Sequence, residues 1–492
     1  MLLGLDIGTS GCKAVIYESD GRGAGRAVSG AYREYGVVAD EKNGWFEIDP
    51  NAVWDAAAAV IREAAAAVRG DVSAVGVSSF GESAVPVDAD GNVLANAILY
   101  TDPRGAEECA LMEPYRDITK LRPHPMYTLP KILWIRKNRP ELFEKTRRFL
   151  LFEDFTLFKL TGNCRISYSE ASRTGCFDVA ERRFAPRIFA DLGLSPDIFS
   201  APAQAGTPAG ALLPGVAAEL GLRADAIVSV GGQDQVCSAV GAGAVESGAA
   251  ALGIGTVECI TPVFGAPIAD AAVLDCGYCC VPYAVGGKYV TYAYNYTGGA
   301  LLRWFRDAIA PGGAVGKDVY QKFDARVKDR PTNLLLLPYF AGAATPFMDT
   351  AATGAIFGLK LTSTAEDIYR AILEGCCFEM LVNIERLAEA GVTIGGVTAT
   401  GGGASETWLR MKADVFGFPV RSLENSEAGT MGAAIMAGAA AGVFGSVGEG
   451  VKKMVRCAGE FLPNPEARGY YMEKYEKYKK MYKAVREVMN EV

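Results

Sequence analysis

Residues Met1–Val15 read MLLGLDIGTSGCKAV, which is an apolar run that leads to Asp6, a turn of small residues and a second apolar run. Two strand-like runs around a Gly-rich turn predict a β-hairpin. The backbone N–H groups of its tip suit a phosphate group, helped by the hydroxyls of Thr9 and Ser10 and the bare backbone of Gly11. The carboxylate of Asp6 could hold a hydrated Mg²⁺ at the base of this tip. An ordinary N-terminal hairpin has the same pattern, so this stretch alone leaves both interpretations open.

A second stretch repeats this pattern in the middle of the chain. Ala250–Ile260 reads AALGIGTVECI, in which an apolar run again leads to Ile-Gly-Thr, here with Gly255 and Thr256. The two copies are separated by about half of the 492 residues, and a repeat at this spacing predicts two similar domains. We therefore expect domains at 1–245 and 246–492, with one nucleotide held between a hairpin from each.

Composition restricts the functional class. Half of the residues are hydrophobic and the net charge is −8, which predicts a folded globular protein and argues against nucleic acid or an anionic membrane as a partner. The first residues enter a strand without a basic segment, and no apolar run reaches the roughly 18 residues that a bilayer span needs, so we expect a cytoplasmic location. The twelve cysteines lack a disulfide spacing and are interpreted as reduced thiols.

A single histidine limits the chemistry that the chain can use. His124 lies far in sequence from the cluster Cys276, Cys279 and Cys280, so this cluster is interpreted as strand or loop thiols in preference to a zinc site. An essential general base is therefore expected to be a carboxylate.

A strand followed by a Gly pair and a helix singles out one such carboxylate. Ile227–Val230 is apolar, Gly231–Gln235 reads GGQDQ, and the small-residue stretch Val236–Gly243 follows. This order places Asp234 at the end of a strand and near a helix N-terminus, where open α/β sheets carry their chemistry. The alternative is that Asp234 only caps the helix.

Three further turns carry polar or small residues at predicted strand ends. The turn Ser79–Ser83 contains Glu82, and Asp102 stands two residues before Arg104. The latter pair could bind a polyhydroxy ligand or form a surface ion pair, and the sequence leaves the two open. The third turn, Gly401–Ser405, opens a helix and suits the ribose and phosphate of a nucleotide.

Two long patterns resemble the signatures of a known family. Met126–Ile135 has the pattern M-x-T-x-x-K-I-x-W-I, and Gly354–Leu359 has G-x-I-x-G-L, followed by D-I-x-x-A-I-L-E at Asp367–Glu374. Over essentially its whole length the chain is similar to the FGGY carbohydrate kinases, which include xylulokinases, glycerol kinases and gluconokinases. The resemblance implies an α/β fold with two ribonuclease-H-like domains of the actin/hexokinase/Hsp70 type around a central nucleotide cleft. The repeated hairpin agrees with this fold.

The resemblance also implies roles for individual residues. ATP and Mg²⁺ would be the cofactors, Asp234 the catalytic base, and Asp6 with Asp234 the metal ligands. The residues expected to bind ATP are Thr9, Ser10, Gly11, Lys13, Gly255, Thr256, Gly299, Gly402, Gly403 and Ala404. The residues expected to contact the acceptor substrate are Glu82, Asp102, Arg104, Met126, Asp234 and Gln235.

The acceptor site departs from the family members named above. Phe80, Gly81 and Glu82 stand where xylulokinases have Gln-Met-His and glycerol kinases have Gln-Arg-Glu, and Met126 replaces a glycerol-kinase tyrosine. A carboxylate at Glu82 favours hydroxyl donors and disfavours an acidic substrate. We therefore expect a small neutral ketose, such as xylulose, or a polyol as the substrate, and leave a homodimer open.

Two other functional classes share parts of this pattern. A catalytically inactive sugar sensor or scaffold on the same fold would not need to keep Asp6, Thr9, Asp234 and Thr256 together. An actin- or Hsp70-like ATPase would have the phosphate hairpins and lack both signatures. The sequence therefore favours an ATP-dependent kinase that acts on a sugar or polyol.

Overall fold

The computed structural model describes residues 1–68, 71–310, 318–327, 332–403, 405–489 and 491. The strands of the first half are β1 (Leu2–Ile7), β2 (Gly11–Tyr17), β3 (Ala27–Glu34), β4 (Val38–Asp40), β5 (Trp45–Ile48), β6 (Ala74–Ser79), β7 (Ala84–Val87), β8 (Ala97–Ile98), β9 (Arg148–Leu151), β10 (Arg165–Ser167), β11 (Phe177–Asp178), β12 (Arg183–Phe184), β13 (Ala201–Ala203), β14 (Pro208–Ala211) and β15 (Ile227–Gln233). The strands of the second half are β16 (Ala249–Ile254), β17 (Glu258–Phe264), β18 (Val281–Pro282), β19 (Tyr289–Val290), β20 (Ala293–Asn295), β21 (Leu335–Leu337), β22 (Ala355–Phe357), β23 (Gly396–Thr400), β24 (Val420–Leu423) and β25 (Cys457–Phe461).

The helices alternate with these strands. The α-helices are α1 (Pro50–Ala65), α2 (Arg116–Thr119), α3 (Thr128–Asn138), α4 (Pro140–Lys145), α5 (Phe152–Thr161), α6 (Tyr168–Arg173), α7 (Pro186–Leu192), α8 (Pro214–Leu220), α9 (Asp234–Gly241), α10 (Ala271–Asp275), α11 (Gly299–Ala308), α12 (Asp318–Val327), α13 (Ala365–Glu389), α14 (Glu406–Phe416), α15 (Ala428–Ala440), α16 (Val447–Met454) and α17 (Pro465–Met489). Short 3₁₀ helices cover Gly21–Gly23, Glu108–Tyr115 and Pro196–Ile198. Within the described residues, no helix combines the length and the apolar character that crossing a membrane requires.

The first hairpin lies at the centre of a six-stranded sheet. β1 and β2 pair antiparallel, with Asp6 opposite Lys13, and β3 extends the sheet beyond β2. On the other side of β1, β6 and β15 run parallel to it, and β14 forms the edge. Leu2 and Leu3 point to opposite faces and are both fully buried, because helices cover the sheet on both sides.

The second sheet repeats this arrangement. β16 and β17 form an antiparallel hairpin, β23 and β24 run parallel to β16 on one side, and β19 and β20 pair with β17 on the other. In each half, the hairpin is therefore flanked by an antiparallel strand on one side and by two parallel strands on the other. This order confirms the two ribonuclease-H-like domains, while their division near residue 245 stays a prediction.

Helix α15 belongs to the second half of the sequence but packs on the sheet of the first half, across β1, β6 and β15. Its backbone comes very close to the strands. A Cβ atom at Gly4 would lie 1.8 Å from the carbonyl oxygen of Thr430, and one at Gly76 would lie 2.0 Å from that of Ala433. Glycine is required at both positions because any side chain would push the helix away from the sheet. The two halves therefore share packing through α15.

Helix α17 packs on α13 and helps to enclose the buried carboxyl group of Glu379. The hydroxyl groups of Tyr478 and Tyr339 both donate to Oε2 of Glu379, at 2.6 and 2.9 Å. Its Oε1 is buried and has no hydrogen-bond partner among the described residues. Burial raises the pKa of Glu379 to about 7, so the folded protein holds a proton there near neutral pH.

We expect Glu379→Gln to stabilise the protein more at about pH 8 than at about pH 5. The unfolded carboxyl titrates near 4.5, so the contribution of Glu379 to stability is full below that pH and is lost as the pH rises through about 7. Glutamine keeps an oxygen for both tyrosines and carries no charge, which should add roughly 1–3 kcal/mol to the free energy of unfolding at the higher pH. Urea unfolding of both proteins measures this gain, and an equal gain at the two pH values would contradict the prediction.

Candidate active site

Three strands of the first sheet end side by side and carry the polar groups of the site. β1, β6 and β15 run parallel, so Asp6, Ser78 and Asp234 come together at their carboxyl ends. Ser78 Oγ donates to Asp6 Oδ1 over 2.6 Å. The first turn of α15 covers the same carboxylate, since a Cβ at Gly429 would lie 2.9 Å from Asp6 Oδ2. Both carboxylates that the sequence indicates as metal ligands therefore lie at the carboxyl ends of these neighbouring strands.

Asp234 is the first residue of α9 and is not its N-cap. The cap is Gln233, whose Oε1 accepts from the backbone N–H of Gln235 at 2.9 Å. Nε2 of the same glutamine donates to Asp234 Oδ1 at 2.5 Å. The alternative that Asp234 only caps a helix is therefore wrong. Gln235 is half-buried on the same turn, next to the carboxylate.

The surroundings of Asp234 change its acidity. The pKa of Asp234 is raised to about 7, mainly by burial and further by the negative charges of Asp6 and Glu82. The N–H of Gln235 and the charge of Arg173 lower it, but by less. The pKa of Asp6 is also raised, mainly by burial. Carboxyl groups with raised pKa values in one place are typical of a functional site.

The tip of the first hairpin offers unpaired backbone donors. The N–H groups of Thr9 and Ser10 have no hydrogen-bond partner in the described part of the chain, and β2 starts at Gly11. Lys13 follows on β2 and forms an ion pair of 2.8 Å with Glu427, just before α15. The amides can therefore receive an anion directly, whereas Lys13 would have to leave Glu427 to reach a phosphate.

The tip of the second hairpin meets the start of α11. The N–H of Gly299 donates to the carbonyl of Gly255 at 2.8 Å, and the N–H of Ala300 donates to that of Thr256 at 3.1 Å. Arg303 Nη2 lies 3.3 Å from the hydroxyl of Thr256. The backbone N–H of Thr256 has no hydrogen-bond partner within the described ranges. A hairpin tip, a cation and a helix N-terminus together suit an anionic ligand.

The glycine turn before α14 packs directly on the second hairpin. Cβ atoms at Gly401 and Gly403 would lie 2.7 and 2.8 Å from the carbonyl oxygen of Ile254, which ends β16, whereas one at Gly402 would meet open space. Small residues are therefore required on the side that faces the hairpin. Ala404, which the sequence assigns to the same nucleotide motif, lies outside the described residues.

Glu82 lies in the turn after β6 and is buried against an arginine. Its φ is 67°, its carbonyl accepts from Thr128 Oγ1 at 2.6 Å, and its Oε1 accepts from Arg173 Nε at 2.5 Å. The guanidinium of Arg173 lies 5.0 and 5.5 Å from the ring centroids of Tyr127 and Tyr292. The sequence indicated Glu82 as a candidate but not Arg173, because the two are 91 residues apart and no local pattern relates them.

The second half of the chain contributes a side chain beside Arg173 and Gln233. The hydroxyl of Tyr292, between β19 and β20, donates to Gln233 Oε1 at 2.7 Å. Its ring also faces Arg173. Because Gln233 precedes Asp234, this contact brings the second half beside the candidate base. The candidate site thus contains residues of both halves, and Tyr292 is a further candidate that the sequence did not indicate.

Asp102 and Arg104 form a buried ion pair, so the alternative of a surface pair is wrong. Arg104 donates through Nε and Nη2 to the two carboxylate oxygens of Asp102 at 2.9 and 2.8 Å, and through Nη1 to Glu47 at 2.8 Å. The guanidinium also lies 4.5 and 5.2 Å from the ring centroids of Trp45 and Trp134. These contacts occupy the groups that would bind a polyhydroxy ligand, and direct contact with a substrate stays a prediction.

The remaining candidates from the sequence lie apart from the carboxylates Asp6, Asp234 and Glu82. Met126 is half-buried before α3, and its N–H donates to His124 Nδ1 at 3.1 Å. It adjoins Tyr127, which places it at the border of the pocket. Cys279 and Cys280 are buried free thiols. Across the described ranges, no group of three or more His, Cys, Asp or Glu side chains is arranged to hold a metal ion.

Comparison with known proteins agrees with this geometry. Residues 1–241 match the N-terminal domain of the FGGY family of carbohydrate kinases, and residues 277–441 match its C-terminal domain. The xylulose kinase of Bacillus subtilis is 31% identical, with 98% of this chain and 96% of that protein covered. The autoinducer-2 kinase of Klebsiella pneumoniae subsp. pneumoniae is 27% identical, with 98% and 93% covered. The solved structure of ligand-bound xylulose kinase from Lactobacillus acidophilus superposes with a TM-score of 0.89, covering 98% of both chains at 23% identity.

These similarities extend over nearly the whole chain and include both domains. They confirm the two-domain fold of the actin/hexokinase type and the use of ATP as the phosphate donor. The chain therefore belongs to the FGGY family of carbohydrate kinases, which are ATP-dependent enzymes that phosphorylate small carbohydrates.

Proposed function

We propose that this enzyme transfers the γ-phosphoryl group of ATP to a hydroxyl of a small neutral ketose, such as xylulose, or of a polyol, with Asp234 as the general base. The position of Asp234 is the observation that carries this proposal. It lies at the common edge of β1, β6 and β15, beside Asp6 and close to Glu82. Its pKa of about 7 suits a group that accepts a proton from an attacking hydroxyl at neutral pH.

Phosphoryl transfer depends on positioning and charge neutralisation more than on covalent help. The unpaired N–H groups of Thr9, Ser10 and Thr256 would bind the phosphates from the two hairpins, and the glycine turn 401–403 would accommodate the nucleoside. Tyr292 would cover the acceptor from the second half, which excludes water as the competing nucleophile. The proton of the attacking hydroxyl then passes to Asp234.

A magnesium ion fits beside Asp6 and Asp234. Both carboxyl groups have pKa values raised by burial, and the charge of Asp6 raises that of Asp234 further. Two such oxygen ligands at one sheet edge are the kind of donors that Mg²⁺ takes, and its charge would offset theirs. When bound, the ion supplies charge neutralisation for the triphosphate, while Ser78 orients Asp6 through its hydrogen bond.

The acceptor pocket supports a neutral, hydroxyl-rich substrate. Glu82 and Asp234 offer carboxylate oxygens to hydroxyl donors, and Glu82 offsets the positive charge of Arg173 at 2.5 Å. An acidic substrate would meet these carboxylates and be repelled. The two relatives above are named for xylulose and for autoinducer-2, which supports a small acceptor and leaves its identity to experiment.

A coupled assay of ADP release tests this proposal. ATP is supplied in turn with xylulose, ribulose, xylitol, glycerol and gluconate, and a reaction without acceptor measures ATP hydrolysis. We expect the highest kcat/KM with a neutral ketose or polyol and the lowest with gluconate. The proposal is overturned if gluconate is the best substrate. It is also overturned if no acceptor raises ADP release, which would favour a sugar sensor instead.

We expect Glu82→Gln to raise KM for the acceptor by about tenfold or more and KM for ATP by less than about twofold. The change removes a charged hydrogen-bond acceptor, whose loss typically costs about 1.5–3 kcal/mol. Steady-state kinetics with each substrate varied in turn measures both constants. Glu379→Gln is the matched control, because it makes the same change at a buried carboxyl between α13 and α17. An unchanged KM for the acceptor would show that Glu82 does not bind it.

A further inference from the structure

Gly81, in the turn before Glu82, packs closely against three side chains. A Cβ atom at this position would lie 2.9 Å from Oε2 of Glu170, and 3.5 Å from Cγ of both Arg173 and Gln233. The space beside Glu82 is therefore filled by side chains from α6. Glu170 and Arg173 are separated by one helical turn, so both project from the same face of this helix.

Each of these two buried side chains has one hydrogen-bonding atom without a partner in the described part of the chain. Arg173 is 4% exposed and Glu170 is 0% exposed. Arg173 uses Nε for Glu82, and Glu170 Oε1 accepts from Ser79 Oγ at 3.0 Å. Nη1 of Arg173 and Oε2 of Glu170 have no hydrogen-bond partner among the residues that the structure describes.

Beside a candidate substrate site, a ligand can supply the partners that these two atoms lack. A buried polar atom left without a partner costs about 1–3 kcal/mol, and more when it belongs to a charged group, so most buried polar atoms of native structures have a partner. Arg173 pairs with Glu82, and Oε2 of Glu170 lies beside Gly81 in the same turn. Burial is the main cause of the raised pKa of Glu170, and the charges of Glu153, Glu82 and Asp234 raise it further. The missing partner is therefore expected on the acceptor side of the site.

We propose that Arg173 and Glu170 bind the acceptor and determine its class. In this assignment Nη1 of Arg173 donates to a carbonyl oxygen of an open-chain ketose, and Oε2 of Glu170 forms a hydrogen bond with a neighbouring hydroxyl. The assignment rests on the proposed function and selects the ketose over the polyol.

The selection follows from the hydrogen-bonding groups of the two substrates. A carbonyl oxygen accepts hydrogen bonds and cannot donate, so it is satisfied by the N–H of Arg173 alone. A hydroxyl in its place carries a proton that needs an acceptor of its own. Because Arg173 already pairs with Glu82, the pocket has no excess positive charge for a carboxylate. Sites that bind by hydrogen bonds discriminate strongly against a group that leaves a polar atom unpaired.

Xylulose and xylitol test this proposal, because they differ only in a carbonyl against a hydroxyl. Kinetics with each, and calorimetric binding of each without ATP, are measured for the wild type, Arg173→Gln, Arg173→Lys and Glu170→Gln, with Glu379→Gln as control. We expect the wild type to prefer xylulose by about tenfold or more in kcat/KM.

Arg173→Gln should raise KM for xylulose at least tenfold, reduce that preference to about twofold and leave KM for ATP within twofold. Arg173→Lys should restore part of the preference, and Glu170→Gln should raise KM for both acceptors.

Gly81→Ala gives a second variant that removes no charge. The added methyl group would meet the flexible end of Glu170, so the fold should be kept while Oε2 is displaced, and KM for xylulose should rise about threefold or more. If Arg173→Gln does not fold, as judged by circular dichroism, Arg173→Lys and Gly81→Ala decide the outcome.

The outcomes separate this assignment from the proposed function. A wild type that phosphorylates either substrate but keeps its preference in the Arg173 variants, or prefers xylitol, overturns the assignment and leaves the proposed function intact. A wild type that binds xylulose with the expected dependence on Arg173 but releases no ADP supports the assignment and overturns the function. Binding of neither compound overturns the assignment, and the wider acceptor panel then decides the function.

Discussion

Asp234→Asn is expected to lower kcat by about 10²–10⁴-fold, because a positioned general base contributes a factor of this size. Asparagine keeps the size of the side chain and an oxygen for the hydrogen bond from Gln233, but it cannot accept the proton of the attacking hydroxyl. The affinity for ATP should stay within about twofold, since the N–H groups that we propose to bind its phosphates lie on the two hairpins. Rates of ADP release and calorimetric titration with ATP measure the two quantities separately.

Asp154→Asn is the matched control for this variant. Asp154 on α5 is another buried aspartate of the first half, and burial holds its pKa well above the usual value. Its Oδ2 accepts from Ser200 Oγ at 2.6 Å, so it belongs to the interior of the domain. We expect the control to keep kcat within about twofold. A rate above one tenth of the wild type in Asp234→Asn, or equal losses in both variants, would contradict the role of Asp234.

Lys412→Met is expected to lower the free energy of unfolding by about 3–5 kcal/mol, because it leaves a buried charge without its partner. Lys412 on α14 donates to Glu258 at the start of β17, and both side chains are 0% exposed. The ammonium group also lies 4.4 Å from the ring centroid of Trp408. This ion pair connects α14, the helix after the glycine turn, to β17 of the second hairpin. Urea unfolding measures the loss.

A double variant and a surface variant control this prediction. In Lys412→Met/Glu258→Gln no charge is left alone, so we expect most of the stability to return. Lys477→Met breaks an exposed pair with Glu473 on α17 and should cost less than about 0.5 kcal/mol. A loss in Lys412→Met as small as that of the surface variant, or a double variant less stable than the single one, would show that the buried pair does not hold these elements together.

Local pattern was sufficient for the elements that we propose to bind the phosphates. The Ile-Gly-Thr tips of both hairpins and the strand that leads to Asp234 were predictable from their sequence neighbours. A turn residue, a strand period and a helix start are decided within a few residues of chain. The repeat of the first hairpin in the second half then predicted two similar domains, and both sheets have the same strand order.

The surroundings of Glu82 could not be predicted in the same way. Glu82 was indicated as a candidate, but its contact with Arg173 depends on how α6 packs beneath the turn, and Tyr292 reaches Gln233 from the other half of the chain. The Asp102–Arg104 pair was recognised, while its burial against Trp45 was not, because burial depends on neighbours that are distant in sequence.

The sequence by itself determined the two hairpins, the carboxylate at the end of β15 and the family, because each depends on residues close together in the chain. The tertiary structure alone decided that α15 crosses to the first sheet over Gly4 and Gly76, that Lys412 pairs with Glu258, and that α6 places Glu170 and Arg173 beside the turn of Glu82. These contacts arise from the packing of whole elements against one another. Packing depends on the shapes and volumes of many side chains at once, which no local pattern records.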